Sequence, residues 1–344
     1  MWGRRLNRVR SAAVAAIGVP LILGACSSPS APAGGATAAP SGAGGGQIQV
    51  GLITKTETNP FFVKMKEGAD KEAAAKGARL MSAAGKFDGD NQSQVTAIEN
   101  MITAGVKGIL ITPSDTKAIV PSIKKARDAG VLVIALDTPT EPQDGTDALF
   151  ATDNKQAGVL IGKYAKAALG GKAARIATLD LAPGISVGVL RHDGFLEGFG
   201  IPGTDPQVVC SQDTGGDQAK GQAAMETCLQ KDPSINLVYT INEPAALGAN
   251  TALKAAGKDK DVMIVSVDGG CTGVRAVKDG TIAATSQQYP LKMATQGVDA
   301  VVDFAQSGKK VSGYSETGVT LITDKPQSGV DSKDTAFGLD NCWG

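Results

Sequence analysis

Histidine is almost missing from this sequence, because His192 is the only one among 344 residues. This scarcity removes most arrangements in which an imidazole serves as a general base or as a metal ligand. Five cysteines occur, but none stand in the C-x-x-C spacing of zinc and redox sites. The Walker A motif of nucleotide-binding loops and the H-E-x-x-H motif of zinc peptidases are missing as well. We therefore expect neither a metal ion nor a cofactor.

A charge imbalance is also missing, since 34 basic and 34 acidic residues cancel at pH 7. A neutral chain gives no reason to expect nucleic acid as a partner. Aromatic residues reach only 4%, so the neighbouring Phe61 and Phe62 form a conspicuous pair. Hydrophobic residues make up 42% of the chain, and 344 residues suffice for two domains of ordinary size.

The N-terminal segment has the features of an export signal. Arginines are concentrated in the first ten residues, and the apolar run 12–23 that follows them is too short to span a bilayer. The sequence Leu-Gly-Ala-Cys at 23–26 resembles the lipobox of bacterial lipoproteins, and an ordinary signal peptide with a chance cysteine is the alternative. The resemblance implies that 1–25 is a signal peptide and that Cys26 is lipidated. The protein would then be held at the extracytoplasmic face of the cell membrane by a lipid anchor alone.

Low-complexity sequence separates Cys26 from the rest of the chain. Residues 27–46 contain only serine, proline, alanine, glycine and one threonine. Such a segment cannot bury enough apolar surface to offset its conformational entropy. We expect 26–46 to be the lipidated cysteine and a flexible tether, whose reach grows roughly as the square root of its length.

Four cysteines remain beyond Cys26, and their even number in an exported chain suggests disulfides. Four cysteines allow three pairings. A strand and the helix that follows it are spatial neighbours, which favours Cys210 with Cys228. Cys271 would then pair with Cys342 and staple the C-terminal tail, although the sequence alone leaves the pairing open.

Strand-like and helix-like segments alternate from residue 47 onward. Helical patterns such as 62–76, 92–104 and 116–129 separate short β-rich runs. This alternation predicts an α/β protein built from βαβ units, with parallel sheets flanked by helices on both faces. The strands number about ten, and two smaller sheets suit this chain length better than one. The β-rich runs are 50–53, 108–111, 131–136, 175–179, 237–241 and 263–267.

Polar residues recur directly after the predicted strands, where ligands bind in open α/β sheets. After the first strand, Asn59 suits the N-cap of a helix, and the proline that follows it suits the first helical position. This arrangement would leave Phe61 and Phe62 at the mouth of the sheet. The polar residues at the ends of later strands are Asp137, Asn242, Asp268 and Gln288.

Six motifs resemble, in order, the ribose/galactose branch of bacterial periplasmic solute-binding proteins. They are Asn-Pro-Phe-Phe at 59–62, Leu-Asp at 136–137, Arg-His-Asp-Gly-Phe at 191–195, Ile-Asn-Glu at 241–243, Val-Asp-Gly at 267–269 and Gln-Gln at 287–288. The resemblance covers 47–323. Within the branch, the runs 86–91, 239–248 and 285–290 and the final Cys-Trp-Gly look most like the fructose-binding members.

The resemblance implies a type I periplasmic binding protein fold, in which two Rossmann-like lobes are joined by a hinge of three crossovers. Lobe 1 would comprise 47–152 and 287–316. Lobe 2 would comprise 153–286 and 317–344, including the C-terminal tail. The ligand would bind in the cleft between the lobes, and the lobes would close around it.

By the same resemblance, the protein is expected to be the substrate-binding lipoprotein of an ABC importer. It would bind a monosaccharide, in the first place fructose, and hand it to the permease and its ATPase, as a monomer and without catalysing a reaction. A sugar-sensing or autoinducer-sensing protein partnered with a signalling receptor is the alternative. The implied ligand contacts are Lys55, Asn59, Phe61, Phe62, Asp137, Arg191, Asn242, Asp268 and Gln288.

Three positions depart from the ribose-binding pattern. Thr138 stands where a second arginine follows the aspartate, Gly216 matches an aromatic residue, and Lys55 replaces a serine. Lys55 would supply the hydrogen-bond donor that Thr138 lacks. These changes widen the pocket and alter its hydrogen bonding, so they argue against a strict ribose site and allow a hexose or a polyol.

The candidate residues also have structural interpretations. The phenylalanines could be core residues at a helix start, aspartates after strands often cap turns, and Arg191 could be a solvated helix residue. One motif points to an enzyme, because Gly-x-Ser-x-Gly at 184–188 has the strand–turn–helix context of a hydrolase nucleophile. A hydrolase triad needs a histidine further along the chain, but His192 lies only six residues after Ser186 and none follows it. We therefore expect no hydrolase.

Overall fold

A computed structural model describes residues 46–344 of the chain. The predicted signal peptide, Cys26 and all but the last residue of the predicted tether lie outside the described residues. Among residues 46–344, no helix is both long enough and apolar enough to cross a membrane.

The described residues form two six-stranded sheets, each flanked by helices, which confirms the predicted fold class. The first sheet has the strand order β11-β5-β4-β3-β1-β2, and all of its neighbouring strands are parallel. Its strands β3 and β4 are continuous hydrophobic runs that are buried along their whole length, as expected where helices cover both faces. The strands are β1 (Gln49–Thr54), β2 (Arg79–Ala84), β3 (Gly108–Ile111), β4 (Leu132–Leu136), β5 (Ala148–Ala151) and β11 (Gly313–Glu316).

The second sheet repeats this arrangement with the order β12-β10-β9-β8-β6-β7. Its strands are parallel except β12, which runs antiparallel to β10. We call the two sheets with their packed helices lobe 1 and lobe 2, and the exact lobe boundaries given above stay predictions. The strands are β6 (Ile176–Asp180), β7 (Val208–Asp213), β8 (Leu237–Thr240), β9 (Met263–Asp268), β10 (Ala284–Gln287) and β12 (Thr320–Ile322).

Helices cover both faces of each sheet. In lobe 1, α1 (Pro60–Ala75) and α9 (Pro290–Ser307) pack on one face, and α2 (Asn91–Ala104) and α3 (Val120–Asp128) pack on the other. In lobe 2, one face carries α4 and α5, and the other carries α6, α7 and α8. These and the last helix are α4 (Asn154–Leu169), α5 (Ser186–Phe199), α6 (Gln218–Lys231), α7 (Glu243–Ala255), α8 (Cys271–Lys278) and α10 (Thr335–Asn341).

The chain crosses between the lobes at three places. These are the short segments between β5 and α4, between β10 and α9, and between β11 and β12. The polar ends of the strands in both lobes therefore face a common space beside the crossovers, which is where parallel sheets bind ligands.

Helix α3 begins later than the sequence pattern predicts. The pattern predicts a helix from 116, but the helix starts at Val120. The carboxylate of Asp115 accepts hydrogen bonds from the N–H groups of Lys117 and Ala118, and the N–H of Thr116 donates to the Gly184 carbonyl of lobe 2. These bonds hold the first four residues in a turn, since side-chain hydrogen bonds of aspartate compete with helix formation.

Candidate functional site

All nine candidate ligand residues line a single cavity between the two lobes, with an empty volume of about 320 Å³. Four further residues complete the lining, namely Asp88, Leu181, Val187 and Ile241. The structure thus brings together residues that are as much as 233 positions apart between Lys55 and Gln288.

Helix α1 sets the wall of lobe 1. Its N-cap is Asn59, as predicted, and the Asn59 side-chain oxygen accepts a hydrogen bond from the Phe61 N–H at 3.0 Å. Because the oxygen is engaged in the cap, the amide nitrogen remains a donor toward the cavity. Phe61 and Phe62 follow on the first turn and lie edge to face, with ring centroids 5.4 Å apart.

The two phenylalanines serve the core and the cavity at once. They are 3% and 5% exposed, respectively, and both belong to the hydrophobic cluster of lobe 1. The same rings line the interlobe cavity. The core interpretation and the ligand interpretation are therefore compatible, because one face of the pair can pack inward while another edge borders the cavity.

The C-terminal tail reaches this aromatic pair from the other side. The predicted boundaries assign the tail to lobe 2, yet the Trp343 ring packs into the hydrophobic cluster of lobe 1, 5.4 Å from the Phe61 ring. Its indole N–H donates to the Gln288 carbonyl at 2.8 Å. The tail therefore braces two cavity residues.

The four cysteines meet in the pairs that the sequence favours. Cys210 and Cys228 have Cα atoms 5.5 Å apart, and Cys271 and Cys342 have Cα atoms 4.9 Å apart, with both sulfur pairs at bonding distance. The second pair fastens the tail next to Trp343. Both separations fall within the range that a disulfide requires.

Two cavity aspartates lie at strained backbone positions. Asp137 directly follows β4 with φ of 61°, and Asp268 ends β9 with φ of 150°. Residues other than glycine seldom adopt positive φ, and such strain clusters at ligand clamps and active sites. The strain favours a functional role for these two residues over an ordinary turn or cap.

Arg191 is buried, with 4% of its surface exposed, so the solvated-helix interpretation is wrong. Its guanidinium donates to both lobes and to the hinge, because helix α5 aims it from lobe 2 across the cleft. The acceptors are Asn154 Oδ1 at 2.7 Å, the Ile241 carbonyl at 3.1 Å, Gln288 Oε1 at 3.1 Å and Asp137 Oδ1 at 3.3 Å.

Asp268 is buried as deeply as Asp137, with 3% of its surface exposed. It accepts a hydrogen bond from Gln288 Nε2 at 2.8 Å, and its Oδ1 atom lies 4.0 Å from the Arg191 Nη1 atom. Burial raises the pKa of Asp268 to about 6, although the Arg191 charge and the Gln288 hydrogen bond oppose the shift. This carboxylate therefore titrates near neutral pH.

Glu243 positions the loop that carries Asp268, and sequence reasoning missed this role. Its buried carboxylate accepts hydrogen bonds from the N–H groups of Gly269 and Gly270 and from the Thr285 hydroxyl. Burial and the neighbouring Asp268 raise the pKa of Glu243 well above its usual value. The motif Ile-Asn-Glu contained Glu243, but only the fold shows that it faces the loop.

Asn242 acts as the N-cap of α7 and borders the cavity. Its side-chain oxygen accepts a hydrogen bond from the Ala245 N–H at 3.1 Å, and its amide donates to the Gly216 carbonyl at 3.0 Å. Gly216 has a φ of 66°, and a Cβ atom there would lie 2.8 Å from the Asn242 amide nitrogen. No larger residue fits at 216 unless Asn242 moves.

Asp88 and Lys55 form a charged pair at the lobe 1 end of the cavity. The Lys55 Nζ atom lies 4.0 Å from Asp88 Oδ1, and their side chains are 2% and 7% exposed. Sequence reasoning missed Asp88. The residue follows β2, and the sequence of β2 predicts no clear strand because this strand is half exposed. The rule that ligand residues follow strands would have found it once β2 was recognised.

The hydrolase motif does not form a catalytic arrangement. The Ser186 hydroxyl donates to the Pro139 carbonyl of lobe 1 at 2.7 Å, and His192 Nδ1 pairs with Asp180 Oδ1 at 2.8 Å. Ser186 thus joins the lobes at the closed side of the cavity. Among residues 46–344, no group of three or more histidine, cysteine, aspartate or glutamate side chains could hold a metal ion.

On its other side the cavity opens into a wider cleft between the lobes. The cleft has an empty volume of about 1630 Å³ and shares Asn59, Asp88 and Asp268 with the cavity. The segments 215–220 and 270–273 of lobe 2, which include the first residues of α6 and α8, face the start of α1 across it. A small ligand can reach the polar cavity through this opening.

These features define a two-lobed binding protein whose polar cavity suits a small polyhydroxylated molecule. Hydroxyl groups both donate and accept, and the cavity presents acceptor-only carboxylates, donor-only cations and amides that do both. Phenylalanine rings can cover an apolar C–H face.

Comparison with known proteins agrees with this class. Residues 50–310 match the family described as the periplasmic binding protein domain. The ribose import binding protein of Bacillus subtilis is 33% identical over 282 residues, which cover 81% of this chain and 88% of that protein. The D-allose-binding periplasmic protein of Escherichia coli is 28% identical over 266 residues, 76% of this chain and 85% of that protein.

Solved structures show the same fold. An ABC transporter solute-binding protein from Mycobacterium smegmatis with bound glycerol has a TM-score of 0.75 and 29% identity, covering 85% of this chain and 96% of that chain. A solute-binding protein from Actinobacillus succinogenes with bound D-allose has a TM-score of 0.72 and 27% identity, covering 80% of this chain and 98% of that chain. The chain belongs to the periplasmic binding protein family.

Proposed function

We propose that this protein captures a monosaccharide in the interlobe cavity and delivers it to an ABC permease and its ATPase. The observation that carries the proposal is the convergence of donors and acceptors from both lobes on one cavity beside a phenylalanine pair. Relatives named for ribose and allose binding support the assignment to sugars. The protein would act as a monomer and catalyse no reaction.

Fructose is the first candidate ligand. The chain carries runs that resemble fructose-binding members, and it departs from the ribose pattern at Lys55, Thr138 and Gly216. In the structure Lys55 lines the cavity, whereas the Thr138 hydroxyl donates to Asp137 Oδ2 at 2.7 Å. The donor that an arginine would supply at 138 would therefore come from Lys55.

Lipid anchoring completes the proposal. The Leu-Gly-Ala-Cys sequence at 23–26 supports a lipidated Cys26, and the low-complexity stretch after it supports a tether. Anchoring would keep the binding protein within reach of its permease at the extracytoplasmic face of the cell membrane. Globomycin treatment, which blocks processing of lipoprotein signal peptides, tests this: accumulation of the full-length chain is expected, and unchanged processing would contradict it.

A thermal-shift panel tests the binding function. A ligand that binds only the folded state at 100 times its Kd adds about 2.7 kcal/mol of stability, which is a shift of several degrees. We expect D-fructose to raise the unfolding temperature, with D-ribose, D-allose, D-tagatose and myo-inositol as comparisons. If none of these ligands shifts it, the proposed function is wrong.

Two matched variants test whether the shift arises in the cavity. Asp137→Asn removes the charge of a cavity carboxylate, and asparagine tolerates the positive φ at this position. Asp70→Asn makes the same change on the exposed face of α1. We expect the fructose shift to disappear in the first variant and to persist in the second. Equal shifts in both variants would place the ligand elsewhere.

A further inference from the structure

The Asp88 carboxylate is enclosed but unsatisfied. Its side chain is 7% exposed, and its Oδ1 atom has no hydrogen-bond partner among the described residues. The nearest cation, Lys55 Nζ, lies 4.0 Å away, too far for a direct hydrogen bond. A buried carboxylate without partners is costly, so it persists where a ligand completes it.

The Asp88 side chain makes no hydrogen bond that stabilises its own loop. Asp90 fixes the loop between β2 and α2, because its carboxylate accepts hydrogen bonds from the N–H groups of Lys86 and Ser93. Gly85 allows the loop to approach closely, since a Cβ atom there would lie 2.6 Å from the Lys55 carbonyl oxygen. The loop is thus held by its neighbours, and Asp88 is left aimed into the cavity.

The electrostatic surroundings agree with this geometry. Burial raises the pKa of Asp88, and the nearby Lys55 charge opposes the shift. Asp137 and Asp213 raise the pKa further, while Arg191 lowers it. A hydrogen bond from a neutral donor would offset part of this cost of burying the charge.

We infer that Asp88 and Lys55 together bind one hydroxyl group of the sugar, as a specificity-determining pair at the lobe 1 end of the cavity. The hydroxyl oxygen would accept a hydrogen bond from Lys55 Nζ, and the hydroxyl proton would be donated to Asp88 Oδ1. Two hydrogen bonds of about 2.7–3.0 Å can meet at one oxygen across a gap of 4.0 Å. A sugar lacking this hydroxyl leaves both charges unpaired and is rejected.

This inference rests on the proposed function, and its test is separable from the test of that function. Titration calorimetry compares D-fructose with monodeoxy analogues that lack each hydroxyl in turn, including an anhydrohexitol for the anomeric one. If the panel ranks another sugar above D-fructose, that sugar and its deoxy analogues serve as probes. The proteins are the wild type, Asp88→Asn, Lys55→Met and the control Glu57→Gln, whose carboxylate is exposed on the first loop.

We expect Asp88→Asn and Lys55→Met each to bind the full sugar about 10- to 100-fold more weakly, since hydrogen bonds to charged groups are worth 1.5–3 kcal/mol. One deoxy analogue should bind the wild type about as weakly as the variants bind the full sugar. The affinity of this analogue should be little lower for either variant than for the wild type. Glu57→Gln should bind like the wild type. Without sugar, Asp88→Asn should unfold at the wild-type temperature or above, because it removes a buried charge.

Three results would overturn the inference. Unchanged fructose affinity in Asp88→Asn shows that the carboxylate does not contact the ligand. If the Asp88 and Lys55 variants lower the affinity for every deoxy analogue by the same factor, the pair does not bind one particular hydroxyl. A lowered unfolding temperature with unchanged selectivity assigns Asp88 a structural role. Absence of binding to the wild type overturns the proposed function itself, and the inference with it.

Discussion

At the scale of single residues, Arg191 connects the two halves of the cavity. Its planar fork donates to Asp137 of lobe 1, to the Ile241 carbonyl of lobe 2 and to Gln288 at the hinge. The carboxylates of Asp137 and Asp268 would otherwise repel each other, and both lie within 4.0 Å of this one cation. A fixed fork of donors suits this task, whereas a point charge on a flexible stem does not.

Arg191→Lys tests the importance of this fork. The variant keeps the positive charge but loses the planar geometry, so we expect sugar affinity to fall about 10- to 100-fold. The free energy of unfolding should fall by about 1–3 kcal/mol, because buried acceptors lose their donors. Calorimetry and urea unfolding measure both effects. Arg175→Lys, at a side chain that is 44% exposed, is the matched control, and equal affinities in the two variants would contradict the assignment.

We expect sugar binding to depend on pH, because the pKa of Asp268 is raised. Burial raises this pKa from 3.8 to about 6. Between these values the folded protein holds a proton that the unfolded chain has released, so the contribution to stability falls as pH rises through this window and is constant above it. Sugar affinity should change in the opposite direction, because the charged carboxylate is the better acceptor for a sugar hydroxyl.

We therefore expect sugar affinity to rise between pH 5 and pH 7. Calorimetry at pH 5, 6, 7 and 8 measures the profile, and Asp268→Asn should abolish it while leaving binding weak. The groups that face Asp268 are Arg191, Gln288, Asp137, and both the N–H and the carboxyl group of Glu243. A similar pH profile in Asp268→Asn would assign the titration to another group.

Sequence reasoning found nine cavity residues, seven of them polar, and missed the eighth polar one for a physical reason. Asp137, Asn242 and Asp268 follow strands whose hydrophobic runs are unmistakable. Asp88 follows β2, whose residues are only half buried at the edge of its sheet. An edge strand carries a weaker hydrophobic pattern because solvent replaces one of its neighbours.

At the scale of elements, the pairing of α4 with α5 places Arg191. Glycines spaced four apart face each other on these helices, two on each. A Cβ atom on Gly158 would lie 2.2 Å from the Arg191 carbonyl oxygen, and one on Gly162 would lie 2.2 Å from the Phe195 carbonyl oxygen. The helix backbones therefore touch, and Arg191 sits on the contact line.

Gly162→Ala should separate the two helices. Alanine gains about 1 kcal/mol of helix propensity, but the clash with a backbone oxygen costs more, so we expect a net loss of about 1–3 kcal/mol in urea unfolding. Sugar affinity should also fall, because α5 carries Arg191 away from Asp137. Gly203→Ala is the control, since its Cβ atom would lie 3.6 Å from Leu196 in ordinary contact. Unchanged stability in Gly162→Ala would contradict the close packing.

The helix pair and the tail show the limit of local sequence patterns. Amphipathic periodicity located helices α1 and α2 within two residues of their observed starts. It could not show that α4 and α5 contact through glycine, or that Trp343 packs against lobe 1. Both are tertiary contacts, and they depend on residues that are distant in the sequence.

At the scale of the whole molecule, the two lobes form two half-sites joined by three crossovers. On one side of the cavity the lobes already touch, through Ser186 with Pro139 and Thr116 with Gly184. On the other side lies the open cleft. A sugar that bonds to both half-sites favours the closed arrangement by its differential affinity for that arrangement.

The alternation of strands and helices was sufficient to predict two parallel sheets. It was not sufficient to predict that β12 runs antiparallel to β10 at the edge of lobe 2. The third crossover, between β11 and β12, is short and contains no helix, so the chain enters the second sheet at the cleft-facing ends of its strands and β12 runs antiparallel to β10. A three-residue strand has too few residues to show a period.

The most direct test of the account is titration calorimetry of the purified protein with D-fructose and the sugar panel. We predict a single saturable site with one sugar per chain, lost in Asp137→Asn and retained in Asp70→Asn. No heat of binding for any sugar, or undiminished binding in Asp137→Asn, would contradict the claim that the interlobe cavity holds a monosaccharide.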